Sequence, residues 1–324
     1  MIYTSVPPEA APGARRNPGL RLARLYLDDS GPTRPYNDTE RAFISDLLQA
    51  HGLPADIDRV VGQFTPLRDM LARILPRLTT HDRPFDLALL ACATPDAELG
   101  WSMSRLARVL PGSGLGFAIS DQGPTAPFAA LRLAVDGVVV DDPSCSLVIL
   151  ADQAVTGLSA GRLPEEYLPH REAIAALVLD VEGGIASLDA TQLPGVLPEA
   201  VPTLTAAWLK EAEADTGSRP VLLAGPGLTG TLRDPSVDVE PVPVPPGLPC
   251  VGLWSRFAEE LPRLRRTGGT VLLAEYDTLL GYLGLCRVDV DQAPGGDIGA
   301  AVNTDGAGPD QRDAPHPGRR GGGA

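Results

Sequence analysis

The stretch from Phe85 to Ala93, apolar at every position after Asp86, most constrains what this chain can fold into. A strand with one wet face alternates apolar and polar residues, whereas a strand covered on both faces reads as a continuous apolar run. The run therefore predicts a parallel sheet with helices on each side. Its neighbours fit that pattern: a helix from Thr65 to Leu78 with Leu67, Met70, Leu71, Ile74 and Leu75 on one face, a helix from Gly100 to Leu110, a strand from Leu115 to Ile119, a helix from Ala126 to Val135 and a strand from Leu147 to Asp152. Such alternation predicts a layered α/β domain.

Upstream, Leu20 to Asp28 reads as a strand, and Asp38 to Ala50 as a helix opened by an Asp cap. Downstream, apolar segments at Ala173 to Val181 and Ile185 to Leu188 precede a helix near Ala200 to Ala214 and a strand at Val221 to Ala224. A helix from Trp254 to Arg265 and strands at Thr270 to Ala274 and Gly281 to Val288 follow. Beyond Val290 the composition turns to Gly, Asp, Pro and Arg. Such a segment buries too little apolar surface to offset its ordering entropy, so 291–324 is expected to be disordered.

With 324 residues and 44% hydrophobic side chains, the chain can bury a full core and make one large or two medium domains. Its longest apolar runs fall far short of the ~20 residues that cross a bilayer, and the N-terminus has no basic segment leading into an apolar one, so a cytoplasmic protein without membrane contact is expected. A formal charge of −14 excludes a nucleic-acid surface of clustered basic residues. Lys210 is the only lysine, and Arg15, Arg16, Arg21 and Arg24 are expected along a solvated N-terminal strand edge.

Cys92, Cys145, Cys250 and Cys286 lack C-x-x-C spacing and read as small buried thiols. His51, His81, His170 and His316 are scattered. No metal site or cofactor is expected, and His81 and His170, in polar segments, are expected at the surface. The Gly183-Gly184 pair and the Gly225-Pro226-Gly227 segment lack the following Lys-Ser/Thr of a phosphate-cradling loop.

The run from Phe85 to Asp96, followed by the segment from Gly116 to Ala134, resembles the core of the thiolase-like ketoacyl synthases, most closely the ketoacyl synthase III branch. The resemblance covers Leu20 to Val290. It implies a pseudo-duplicated five-layer α-β-α-β-α architecture, with halves at 1–165 and 166–290, and a dimer formed through the strand and helix around the nucleophile turn.

In that family a nucleophilic cysteine opens a helix, where amide dipoles lower its pKa and supply part of an oxyanion hole. Here the turn reads Ser120, Asp121, Gln122, Gly123, Pro124 and Thr125, with Gly123 or Pro124 at the nucleophile position. Ser120 and Thr125 are the neighbouring hydroxyls, but each needs a general base. Asp121 with Gln122 could cap the helix or hydrogen-bond a ligand.

The family's second-half histidine and asparagine are also missing. There is no Asn between Asn37 and Asn303 and no His between His170 and His316, however the halves are aligned. The His-bearing loop corresponds to Leu222 to Thr229, and the Asn-bearing helix start to Cys250 to Arg256. Decarboxylative condensation is not expected. The resemblance implies a degenerate ketoacyl-synthase-like subunit of an acyl, polyketide or secondary-metabolite pathway, as a homodimer or paired with an active synthase relative. The alternative is a divergent acyltransferase taking an acyl group from acyl-carrier protein or acyl-CoA.

Overall fold

A computed structural model describes residues 20–29, 31–50, 63–93, 96, 102–112, 114–120, 122–137, 145–154, 163–232, 240–293 and 302–304. In chain order the elements are β1 (Arg21–Asp28), β2 (Arg34–Pro35), α1 (Asp38–Ala50), β3 (Gln63–Phe64), α2 (Leu67–Leu78), β4 (Leu87–Cys92), α3 (Ser102–Val109) and β5 (Leu115–Ile119). Next come α4 (Ala126–Asp136), β6 (Cys145–Asp152), β7 (Ala173–Asp180), β8 (Ala186–Leu193), α5 (Val201–Thr216), β9 (Val221–Ala224) and α6 (Pro226–Thr231). The last are β10 (Val242–Pro243), α7 (Gly252–Thr267), β11 (Gly269–Asp277), β12 (Tyr282–Val290) and β13 (Val302–Thr304).

The main sheet runs β10-β9-β11-β12-β8-β1-β7-β6-β4-β5. It has two arms of like pattern. In one, β4 lies parallel to β5 and β6, and β7 is antiparallel to β6 and β1. In the other, β9 lies parallel to β10 and β11, and β12 is antiparallel to β11 and β8. Among the described residues, the arms join in the sheet through the pairs Arg21 with Ser187 and Leu22 with Ala186. β7, which the sequence places at the start of the second half, hydrogen-bonds to β6 and β1.

Burial explains the layers. Alternate residues of β4, β6 and β7 send Ala88, Leu90, Leu147, Ile149, Ile174 and Ala176 against α2 and α3. The opposite faces of both arms, including Leu89, Leu150, Leu177, Leu273 and Val288, converge on α4 and α7. The remaining face of β9, β11 and β12 packs on α5 and α6. This is a five-layer α-β-α-β-α body. At its centre Gly284 of β12 lies under the Phe128 ring of α4, where a Cβ would come 2.4 Å from Phe128 Cδ2.

Several expectations change. α1 is capped reciprocally by Asn37 and Glu40, each side chain accepting the other's backbone amide at 2.9 Å, rather than by Asp38. β1 is an inner strand, so Arg21 is not on an edge; it donates to Gly183 O and pairs with Asp291. Phe128, Leu131 and Leu133 of α4, the helix expected at the dimer seam, face the chain's own core because α4 is a middle layer: Phe128 and Leu131 are 1% and 0% exposed, and Leu133 packs there partly buried. Within the tail, Arg265 donates to Asp291 O, Gln292 donates to Arg266 O, and β13 pairs with β1; 294–301 and 305–324 lie outside the described residues.

Candidate functional site

Four elements bring the candidate site together. β5 ends at Ile119, the turn Gly123–Thr125 leads into α4, and β11 ends at Asp277 beside Tyr167 from the short turn Glu165–Tyr167. The turn is buried. Gly123 has φ of +49°, a left-handed conformation that favours glycine. A Cβ there would stand 2.4 Å from Asp277 Oδ2 and 2.6 Å from Tyr167 Cε1, so the space beside this position is already filled.

Asp277 is fully buried. Its Oδ1 accepts from the Tyr167 hydroxyl and from the amides of Leu279 and Leu280 at 3.0 and 2.7 Å, while buried Oδ2 has no partner. Burial pushes the acid up, and the three donors oppose that shift. Burial also raises the Tyr167 phenol, reinforced by its bond to the carboxylate. Beside them Thr278 Oγ1 donates to Glu166.

Gln122 and Thr125 are engaged within the fold. Thr125 Oγ1 donates to Gln122 O at 2.8 Å and accepts from Gln192 Nε2 at 3.0 Å, which also reaches Gln122 Oε1 at 2.9 Å. That leaves the Thr125 hydroxyl as a structural link between α4 and β8. Ser120 is half-buried just after β5. Pro124 is buried, and Asp121 lies outside the described residues.

Two further carboxylates stand at the segments matched to the family's histidine and asparagine. Glu275 Oε1 accepts the amides of Leu228 in α6 and of Tyr276, each at 2.9 Å. Complete burial pushes Glu275 up to about 8, against those amides. Asp152, the last residue of β6, accepts from Cys250 N at 3.0 Å and Val251 N at 2.8 Å, capping the first turn of α7. Burial raises it to about 7. Sequence reading missed Asp152, Glu275, Asp277 and Tyr167; the available signal was an acid inside or ending an otherwise apolar strand.

All four cysteines are buried. Cys92 Sγ lies 4.0 Å from Ile119 O, and burial raises the Cys145, Cys250 and Cys286 thiols. A raised thiol pKa is the reverse of nucleophile activation. His170 is exposed, as expected. His81 is not: its side chain is 10% exposed and stacks on Phe85 at 5.3 Å between ring centroids. An open cleft of about 360 Å³ runs along the first turns of α7, with Arg171, Arg256 and Glu259 among its lining residues.

Several solved structures share this fold. The chain matches ChlB3, an acyltransferase, at 16% identity and a TM-score of 0.58 over 86% of this chain and 99% of that one. It matches a 3-oxoacyl-(acyl-carrier protein) synthase from Burkholderia xenovorans LB400 at 14% and 0.56, over 85% and 95%. The tetronic acid condensing enzyme AbyA1 matches at 14% and 0.53, over 83% and 99%. No family model and no curated protein matches the chain. The chain has the thiolase-like fold. Identities this low define the fold and leave the reaction to the site.

Proposed function

We propose that this protein is a non-condensing thiolase-fold subunit that pairs with an active ketoacyl synthase relative in an acyl or polyketide pathway. The observation that supports this reading best is the closed surround of Gly123, where Asp277 and Tyr167 occupy the space a nucleophilic side chain would need. Glu275 and Asp152 serve the backbone of α6 and α7 at the other two positions, consistent with a site kept for structure. The buried part of the turn, Gly123, Pro124 and Thr125, then serves as a packing element.

Edge strand β5 supports the pairing. Among the described residues it has a sheet neighbour on one side only, and it exposes Leu115 and Phe117 at 40% each. An apolar edge strand left in water invites pairing with another chain. A homodimer or a heterodimer through this edge follows, in the cytoplasm, where acyl-carrier protein and acyl-CoA would reach the partner's site. Among the described residues, no helix is long and apolar enough to cross a membrane.

A second reading is favoured by the similarity to the acyltransferase ChlB3: transfer of an acyl group from acyl-carrier protein or acyl-CoA directly to a bound acceptor. Intact mass of the protein after incubation with acyl-CoA and acyl-carrier thioesters, alone and with a co-encoded synthase, separates the two. No adduct, with a stable complex formed, is the expected result. Turnover of the thioester onto an added acceptor by the lone protein, or an adduct on Cys92 or Ser120, overturns the subunit reading.

A further inference from the structure

At the opposite end of β6, seven residue rises or ~23 Å from Asp152, lies a second cluster that the reading above does not use. Cys145 opens β6 and Asp180 closes β7, and antiparallel register sets them side by side. His81, from the turn after α2, reaches over both. Its Nε2 lies 3.3 Å from Cys145 Sγ and 3.8 Å from Asp180 Oδ2, and the three ligand atoms all fall within 4.8 Å of one another.

We propose that His81, Cys145 and Asp180 form a zinc site, with the fourth position left to water. Zinc bonds of ~2.0–2.1 Å to nitrogen and oxygen and ~2.3 Å to sulfur give tetrahedral edges of ~3.6 Å for the nitrogen–sulfur pair and ~3.4 Å for the nitrogen–oxygen pair, so closing on the ion asks each pair to shift by no more than about 0.5 Å. A single nitrogen faces both the sulfur and the carboxylate oxygen. A proton on Nε2 serves one of them, whereas a cation among the three serves all.

Each ligand is also held from behind, as metal ligands are. Phe85 stacks on the imidazole, Asp86 Oδ2 accepts the Cys145 amide at 3.1 Å, and Asp180 Oδ1 accepts from Arg83 at 2.7 Å and from the Glu182 amide at 2.9 Å. That leaves Oδ2 directed at the imidazole. A thiolate, an imidazole and a carboxylate are a donor set that suits zinc and leaves magnesium or calcium poorly served. On binding, the Cys145 thiol gives its proton to solvent, and the two negative ligands balance the divalent ion. The site would tie the turn after α2 to the β6 and β7 pair. The wide sequence spacing of these residues pointed away from any metal, and only strand register brings them together.

The test is cobalt(II) titration of the full-length protein after treatment with a chelator, with zinc as competitor. The expected result is a near-ultraviolet thiolate-to-cobalt charge-transfer band that saturates at one equivalent and is bleached by zinc. Cys145→Ser should abolish the band, and Asp180→Asn should weaken cobalt affinity at least tenfold while the band remains. As a measurement on the unaltered chain, zinc should slow alkylation of the buried Cys145 at a urea concentration just below the unfolding transition, where local opening admits the reagent, while leaving Cys92, Cys250 and Cys286 unaffected. No saturable band, a band that survives Cys145→Ser, or unchanged Cys145 alkylation with zinc overturns the site.

Discussion

The Tyr167 hydroxyl donates to Asp277 Oδ1, and the joined pair stands where any side chain at position 123 would have to go. Gly123→Cys therefore does not restore a nucleophile. It adds a left-handed non-glycine residue and a steric collision, and should cost about 1–3 kcal/mol, read as a lowered urea midpoint. Asp277→Gly in the same background should recover part of that loss, because the two sites share one volume. Additive losses would show that the collision is relieved elsewhere.

Glu275 ties stability to pH. Its folded value near 8 lies above the ordinary 4.5, so the folded chain favours the neutral acid. The stability this contributes is complete below about pH 4.5 and is lost as pH rises to about 8. Asp152, raised from 3.8 to about 7, acts in the same direction. Glu275→Gln keeps an oxygen for the Leu228 and Tyr276 amides and cannot ionise. Its urea midpoint should fall less steeply than that of the unaltered chain across this window; an unchanged slope would assign the pH dependence elsewhere.

Much of the fold was legible because continuous apolar runs such as those of β4 and β6 arise only in strands covered on both faces. The site was less so. The turn at 120–125 stood out through what it lacks, but Tyr167 and Asp277 are 110 residues apart, and nothing local says that a phenol and a carboxylate meet. Glu275 and Asp152 read as strand ends, since a buried acid looks in sequence like an exposed one. The surface of α4 was misread for a related reason: an apolar helix face shows that it is covered, not whether its own chain covers it.

The Asp152 cap on α7 can be measured directly. Asp152→Ala leaves the Cys250 and Val251 amides buried and unanswered, and should cost about 2 kcal/mol. Asp152→Asn retains one acceptor oxygen and should cost less than half of that in the same denaturation experiment. Equal losses would mean that the charge, rather than the hydrogen bonds, holds the helix start.

Association should depend on β5. Phe117→Glu puts a charge on the exposed edge without touching the core, so the melting temperature of the isolated chain should hold while its dissociation constant rises about tenfold, a 1.4 kcal/mol effect. Sedimentation velocity over a micromolar series reads this for the homodimer, and co-purification with a synthase partner reads it for the heterodimer. Unchanged assembly would move the interface off this edge.

The notch at Gly284, into which Phe128 fits, has a consequence for how the chain can be cut. A fragment ending after β7 would present the Phe128 ring to solvent with nothing to receive it. One beginning at β8 would leave Gly284 of β12 without the ring that covers it. Neither piece is a stable building block, and mixing them would require each to fold on the other. Although the two arms of the sheet share a pattern, the chain should unfold as one cooperative body.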